Sequence, residues 1–460
     1  MSTFSGINTA ARALSASQRG MEVTGQNIAN ANTEGYSRQR VDQSASVLNQ
    51  TGQFSQKFTP GDGVVVNGLT RITDALSTAT ARQDSANAKE QSTAATIWAG
   101  VENAIGDTGT SGLSQNLADL SSAWNDLASK SGTDGLDGAR SLVITRSQAV
   151  AASVNGMNTQ LEAQYDQLNL QADAITSQVN TLAQNVAKLN TSIRETTANG
   201  ASANELMDQR DQLLNQLADL SGSRVVNRDN GTVDVLIGNA TLVTGDFSYE
   251  LTVTPTNAAG EAIEEANIDN DFVARINGQV ASPAAGSLKA TMDGANTTLA
   301  KQKEELNGFA KQLADDTNAA YGQPFFANSD GSTPVNAKLL TVVETAANLR
   351  DSTNLTGAQS ADRVHAKAVT SAFEGIKSSW RTNVTNLAAS TQSASNRADL
   401  ASQVSLKSAA VRDGVSGVNL DEEMTNLVAY QHAYSAAARV LTAIDEALDT
   451  LISRTGLVGR

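Results

Sequence analysis

The residues that could do chemistry are few. The chain has no cysteine and only two histidines, His365 and His432, which stand far apart with no second histidine near either. That removes disulfide frameworks, thiolate nucleophiles, thiolate-ligated zinc, iron–sulfur centres and histidine-rich metal sites together. With no serine evidently partnering either imidazole, a nucleophile–base arrangement is not expected. No phosphate loop of the form GxxxxGK[ST] occurs, and Gly106, Gly109 and Gly112 have the wrong spacing for a dinucleotide turn. The one candidate cation site is the acidic stretch Glu261–Asp271, where Asn267, Asp269 and Asp271 alternate. A calcium loop of the EF-hand kind needs glycine after that triplet, and Phe272 stands there, so the stretch reads as a solvated loop. The expectation is no catalytic residue, no cofactor and no metal.

Composition narrows the partners. The 460 residues carry 33 basic and 48 acidic side chains, a net charge of −15, which repels phosphate backbones and anionic lipid; neither nucleic acid nor membrane is an expected partner. Aromatic residues make up only 4% of the chain, and small polar residues take their place. No basic-then-apolar leader opens the sequence, and no apolar run approaches a membrane span, which taken alone predicts a soluble cytoplasmic protein.

The elements follow from punctuation. Pro60 stands alone, while Pro255, Pro283, Pro324 and Pro334 share one window, so long helices are permitted over 61–254 and 335–460. Leu113, Leu117, Leu120, Trp124 and Leu127 step by 4 and 3, as does the run from Ile175 through Val179, Leu182, Val186 and Leu189 to Ile193. The latter predicts one helix of ~60 residues, a rod roughly 90 Å long. Gly222 ends a further helix bearing Leu206, Leu213, Leu217 and Leu220. Val233, Val235 and Ile237 then alternate, and the turn pair Asn277-Gly278 follows. The spacing predicts a mainly α fold: a long-helix bundle rod with terminal coiled-coil helices and one inserted antiparallel β domain. The divisions are 1–60, an N-terminal axial helix and extended segment; 61–222, first part of the bundle; 223–290, the β insertion; 291–415, the return of the bundle; and 416–460, a C-terminal axial helix.

Both ends carry thin heptad stripes. Ile7, Leu14, Met21 and Ile28 recur every seven residues, with Phe4 and Ala11 in the other seam position and Gln18 and Gly25 continuing it. Leu420, Met424, Leu427, Tyr434 and Leu441 alternate at the other end, and Ile444, Leu448 and Leu451 continue after a three-residue slip. Asn419 can cap this helix, with Glu422 as its capping-box partner. Neither stripe buries enough apolar surface to order itself, so each is expected to need the other and neighbouring subunits.

The run Val23–Val41, which contains Asn27, Asn30, Gly35, Tyr36 and Arg38 and reads Gly-Tyr-Ser-Arg-Gln at 35–39, resembles the signature of bacterial flagellar rod, hook and hook-associated proteins. The C-terminal run from Gly417 to Leu451 is similar to the hook-associated, hook–filament junction family, and the segment Asn204–Leu214 to a bundle segment of hook-associated and flagellin-like chains. The resemblance implies a structural adaptor, not an enzyme, that is exported unfolded without a cleaved signal; the alternatives are another flagellar axial protein (flagellin-like, hook or rod) or an axial scaffold displaying an adhesive or hydrolytic insertion. It implies an extracellular address on the flagellum, and a ring of its own subunits between the hook protein and a second junction protein. It also implies that the terminal helices form an inner tube, that the β insertion faces outward and that an export chaperone attends the C-terminal helix. Within that frame Ile7, Leu14, Met21 and Ile28 are expected to pack against Leu420, Met424, Leu427 and Leu441. Gly35 is expected to permit a backbone turn, Asn27, Asn30 and Asn32 to bond backbone, and Arg38 and Arg40 to be solvated charge.

Overall fold

The computed structural model describes residues 3–46, 63–109, 111–130, 135–256, 268–349 and 362–454, with the side chains of 3–5, 362–364, 452 and 454 outside that description. The fold is mainly α with small antiparallel sheets, as expected. Helix α1 (Thr3–Ala29) leads into a hairpin of β1 (Gln39–Ala45) and β2 (Val64–Arg71). Helices α2 (Ala75–Ile105), α3 (Leu113–Ser129), α4 (Leu136–Ala198) and α5 (Asn204–Ser221) follow. Asp74 caps α2 by accepting the Ser77 N–H at 2.7 Å, and Gly106 closes it in the left-handed conformation. The 63 residues of α4 form one uninterrupted helix of ~95 Å, the rod that the Pro-free 3,4 pattern predicts.

The insertion comprises two sheets. β3 (Arg224–Asn227), β4 (Val233–Ile237), β5 (Ala240–Thr244) and β6 (Phe247–Ser248) pair in chain order, as do β7 (Leu251–Thr256), β8 (Asp271–Ile276) and β9 (Gln279–Val280). Val233, Val235 and Ile237 point inward, as their alternation requires. Helix resumes at α6 (Gly286–Asp293), five residues before the expected return of the bundle at 291. A π-helical segment, Gly294–Leu299, joins α6 to α7 (Ala300–Tyr321). After α7 comes a small hairpin of β10 (Phe326–Asn328) and β11 (Leu340–Val342), with strands too short to show a period. Then come α8 (Asp362–Ser416) and α9 (Leu420–Arg454). Among the described residues no helix is long and apolar enough to cross a membrane.

One continuous apolar core runs from α2 through α8 and both sheets of the insertion, with Trp124, Tyr165, Phe272, Phe309, Tyr321 and Phe325 fully buried in it. None of its described residues comes from α1 or α9. The terminal pair is therefore attached to the rod by something other than a shared core.

Extended segments are fastened to helices by asparagine. The Asn180 amide donates to the Leu251 carbonyl and accepts the Leu251 N–H, each at 2.8 Å, so a helical side chain stands in for a neighbouring strand. Asn190 treats Val233 the same way, Asn296 in the π segment treats Phe272, and Asn318 treats Phe326. An amide has the donor and acceptor for both bonds, whereas a carboxylate has acceptors alone. Asn180→Asp should lower stability by ~1–3 kcal/mol in urea unfolding and speed hydrogen exchange at the Leu251 amide, because the freed carbonyl then faces another acceptor.

Candidate assembly interface

The terminal helices pack antiparallel in one register. A Cβ on Gly6 would lie 2.9 Å from the tip of Ile444, one on Gly20 would lie 2.6 Å from the Tyr430 ring, and the Asn27 side chain meets Glu423. Each step forward along α1 matches an equal step back along α9. The face of α1 turned to α9 is thus Gly6, Ala10, Ala13, Ser17, Gly20, Thr24 and Asn27, spaced 4,3 throughout and made of small residues. Facing it on α9 are Glu423, Leu427, Tyr430, Tyr434, Ala437, Leu441, Ile444 and Leu448, also 4,3 throughout. Large side chains from one helix fill a shallow groove of small ones on the other.

This corrects four expectations. Ile7, Leu14, Met21 and Ile28 are half-buried and follow the contact column by one residue, so they lie on its flank. The line Ala11, Gln18 and Gly25 is exposed; Phe4, which begins it, has its side chain outside the described residues. At the other end no slip is needed, because Leu448 continues the column of Leu427, Tyr434 and Leu441, and Ile444 continues that of Tyr430 and Ala437. Leu420, Met424 and Leu451 are about half exposed, since Leu420 lies beyond the end of α1 and Met424 lies off the seam. A search for large apolar side chains finds the flank because the seam itself is glycine, alanine, serine and threonine.

Three sides of α1 are distinguishable. Residues one before the seam meet the hairpin: Gly63 lies against Thr9, Arg12 donates to the Ser46 hydroxyl at 2.9 Å, and Ala16 and Val23 are buried. Residues one after the seam, Ile7 to Ile28 on α1 with Met424 and Val428 on α9, fall on the opposite side. Stepping one residue on from the seam on both members of an antiparallel pair turns toward the same flank, at 100° per residue.

The signature segment closes one end of the pair. All four hydrogen-bonding positions of the Asn27 amide are used, with Nδ2 donating to the Gln39 carbonyl at 2.9 Å and to Glu423 Oε2 at 3.0 Å. Its Oδ1 accepts from the Tyr36 hydroxyl at 2.8 Å and from the Gln39 N–H at 3.0 Å. Arg38 is not solvated: its Nε donates to Glu423 Oε1 and its guanidinium to Glu422 Oε2, both at 2.7 Å, while its N–H bonds the Ser416 carbonyl. Glu422 is therefore an ion-pair partner and not the second half of a capping box. Asn419 caps α9 alone, accepting the Asp421 N–H at 3.0 Å. Arg40 is exposed, as expected, and Asn30 bonds the Gln26 carbonyl in the turn after α1. Gly35 has φ +77°, the left-handed turn that glycine favours, and a side chain there would strike Gln212.

The same segment is bound on its other side by polar residues of α5 that apolar periodicity passes over. Asp208 accepts the Ser37 N–H at 3.2 Å and pairs with Arg71 at 2.8 Å; Arg71 also reaches Asp211 at 2.6 Å. Asn204 and Glu205 hold the Gln39 side chain, and Gln212 donates to the Glu34 carbonyl. Burial pushes the Asp208 carboxyl up, and burial with nearby Asp208, Glu205 and Glu423 raises the Tyr36 phenol to about 12.

Among the described residues no group of histidine, aspartate or glutamate is placed to hold a metal. His432 is exposed, and His365 lies by the Ala320 carbonyl at 3.4 Å. Of the acidic stretch, Glu261–Asn267 lies outside the described residues, and Asp269 pairs with Lys303 at 2.7 Å. A cleft of about 520 Å³ between α8 and the α2–α3 turn is lined by Lys377, Trp380, Arg381 and Asp107. The Asp107 carboxylate there is already taken by the Gly109 and Ser114 N–H groups and the Trp380 indole.

Comparison with known proteins accounts for this arrangement. The model of the flagellar hook-associated protein FlgK helical domain matches residues 98–333, just over half of the chain. The chain belongs to the FlgK family. The flagella basal body rod protein model matches residues 7–36, and the flagellar basal body rod FlgEFG protein C-terminal model matches 414–454. Those two segments, at opposite ends of the sequence, are the ones that Asn27, Arg38 and Glu423 bind together. The chain is similar to flagellar hook-associated protein 1 of Bacillus subtilis, 29% identical with all of both chains aligned. It is 28% identical to the protein of that name from Escherichia coli over 70% of this chain and 58% of the relative. A structure titled the flagellar hook junction protein FlgK from Burkholderia pseudomallei aligns with a TM-score of 0.44 at 22% identity, covering 57% of this chain and 46% of that one. FlgK-family proteins are structural components of the bacterial flagellum.

Asn27→Asp should cost ~1–3 kcal/mol by leaving the Gln39 carbonyl and Glu423 facing an acceptor, read as lost terminal helicity in circular dichroism. Tyr36 gives a pH test. Its folded pKa lies above the unfolded value near 10, so its contribution is fully present below pH ~10 and is lost as the pH rises through about 12. Difference titration at 295 nm against Tyr36→Phe should place this phenol near 12.

Proposed function

We propose that the chain is the structural adaptor at the junction between flagellar hook and filament, and that it assembles with copies of itself through the paired terminal helices. The observation that supports this most directly is the α1–α9 pair itself. It is closed on one side by the hairpin, bonded at one end by the signature residues, and left open on the side bearing Ile7, Leu14, Met21, Ile28, Met424 and Val428. A thin helix pair outside the main core with a row of half-exposed aliphatic and thioether side chains is suited to packing against like surfaces. Leu420 and Leu451, each about half exposed, continue the seam columns past the two ends of α1 and offer further apolar surface there.

On this reading the neighbours are other copies of the chain in a ring, the hook protein on one side and a second junction protein on the other. An export chaperone covers the C-terminal helix before secretion. The address is extracellular, on the flagellum, reached through the flagellar export apparatus without a cleaved signal. The role is mechanical, with no reaction catalysed, and the long α4 rod with its fastened insertion forms the outer part.

The test is electron microscopy of cells lacking the chain. Intact hooks with secreted but unpolymerised filament subunits are the expected result; absent hooks would assign the chain to hook or rod. At residue level, Met21→Asp with Met424→Asp should block incorporation while leaving the monomer's helix content unchanged. Leu427→Asp with Leu441→Asp lies in the seam and should abolish the helix pair as well. Removing residues 1–40 should leave a folded bundle that no longer joins the axial structure, and loss of bundle helicity in that truncation would refute the division.

A further inference from the structure

The apolar seam of the terminal pair discriminates poorly between registers. Sliding α9 by seven residues would set Tyr430 on Ala13 in place of Gly20, where a Cβ falls 2.6 Å from the ring, so the seam resists this slip through one contact that turning the Tyr430 side chain relieves. The polar end discriminates strongly. Glu423 is 2% exposed, and its carboxylate is matched by Arg38 Nε and the Asn27 amide, while Asn27 is itself saturated by Tyr36 and Gln39. In any slipped register Glu423 leaves both partners, and either its charge is buried unpaired or the α9 start pulls away from α1. Breaking a buried, hydrogen-bonded pair on one side is among the costliest changes available to a fold, while replacing all its members by apolar groups is often harmless to stability. A buried polar group that specifies alignment at little gain in stability is the best-attested use of such contacts in helix pairs.

We propose that the buried Asn27–Arg38–Glu423 contact, and not the apolar seam, selects the register in which α1 pairs with α9. That register decides which residues share the open flank: Met21 and Ile28 stand alongside Met424 and Val428 only in the alignment seen. The consequence for docking of a second copy rests on the assembly reading above; the register claim does not.

Because the chain has no cysteine, Gln18→Cys and His432→Cys, both exposed and level with each other across the pair, take spin labels cleanly. Pulsed electron–electron resonance on the isolated full chain, in trimethylamine N-oxide to favour buried surface, reads the separation of the labels. The labelled parent should give one narrow distance. Adding Asn27→Leu, Arg38→Leu and Glu423→Leu should keep the terminal helicity but add distances longer by a few ångström, because an axial slip of ~10 Å, the rise of seven residues, adds at right angles to the separation of two level labels. Adding Tyr430→Ala instead, which thins the seam and spares the polar contact, should keep the single distance. An unchanged single distance in the triple variant, shifted distances in Tyr430→Ala, or no defined distance in the parent would each overturn the proposal. Should the triple variant lose its helices, Tyr430→Ala decides alone. The measurement needs no assembly, so a failure here leaves the junction role standing, and an intact register with no effect of the deletion on filament attachment would fault that role alone.

Discussion

A carboxylate taken out of water must be met by a positive charge and by donors for its remaining lone pairs. Glu423 satisfies that condition only with groups from the opposite end of the chain, and most of the geometry of the termini follows. Arg38 and Asn27 must both reach it, so the end of α1, the turn at Gly35 and the start of β1 are drawn against the first turn of α9. The same device recurs one layer inward, where Arg71 pairs with Asp208 and Asp211 on α5. Two polar contacts in series thus connect the terminal pair to a rod with which it shares no described core residue. Such a joint contributes orientation more than stability.

The small-residue groove of α1 is the other half of the design. Glycine at positions 6 and 20 lets the Ile444 and Tyr430 side chains lie where a Cβ would otherwise stand, so the two helices approach closely. Close approach compensates for the scarcity of large buried side chains: few atoms are involved, but they are in contact with backbone along the whole length. In the bundle, by contrast, large rings pack on one another, as where Trp124 has Phe325 at 5.5 Å and Tyr321 at 6.2 Å.

Much of this was legible in the residues. The 3,4 spacing through Ile193 showed the α4 rod, the alternation at Val233, Val235 and Ile237 showed the insertion, and Asn277-Gly278 showed its last hairpin turn. The family signatures at the two ends were visible as well. What escaped was of two kinds. Seams of glycine, alanine, serine and threonine carry no hydropathy contrast, so Ile7, Leu14, Met21 and Ile28 drew attention to the flank and not to the contact. And the partners of Arg38, Asn27 and Asp208 lie hundreds of residues away or on another element, where no local period can reveal them. The 4,3 run of small residues from Gly6 to Thr24 was in plain view; steric contrast, and not polarity, was its signal.

The asparagine fastenings have a consequence for motion. Asn180 and Asn190 hold β7 and β4 to α4 at points ten residues, or ~15 Å, apart, and Asn296 holds β8 from the neighbouring π segment. A body pinned at one point can pivot and one pinned at two can swing like a door, and each further pin restricts it more. The two sheets also share one apolar core with α4. The described strands of the insertion are therefore expected to follow any tilt or twist of α4 as one piece with it, and the joint that lacks a shared described core is the polar one at the base of α1 and α9.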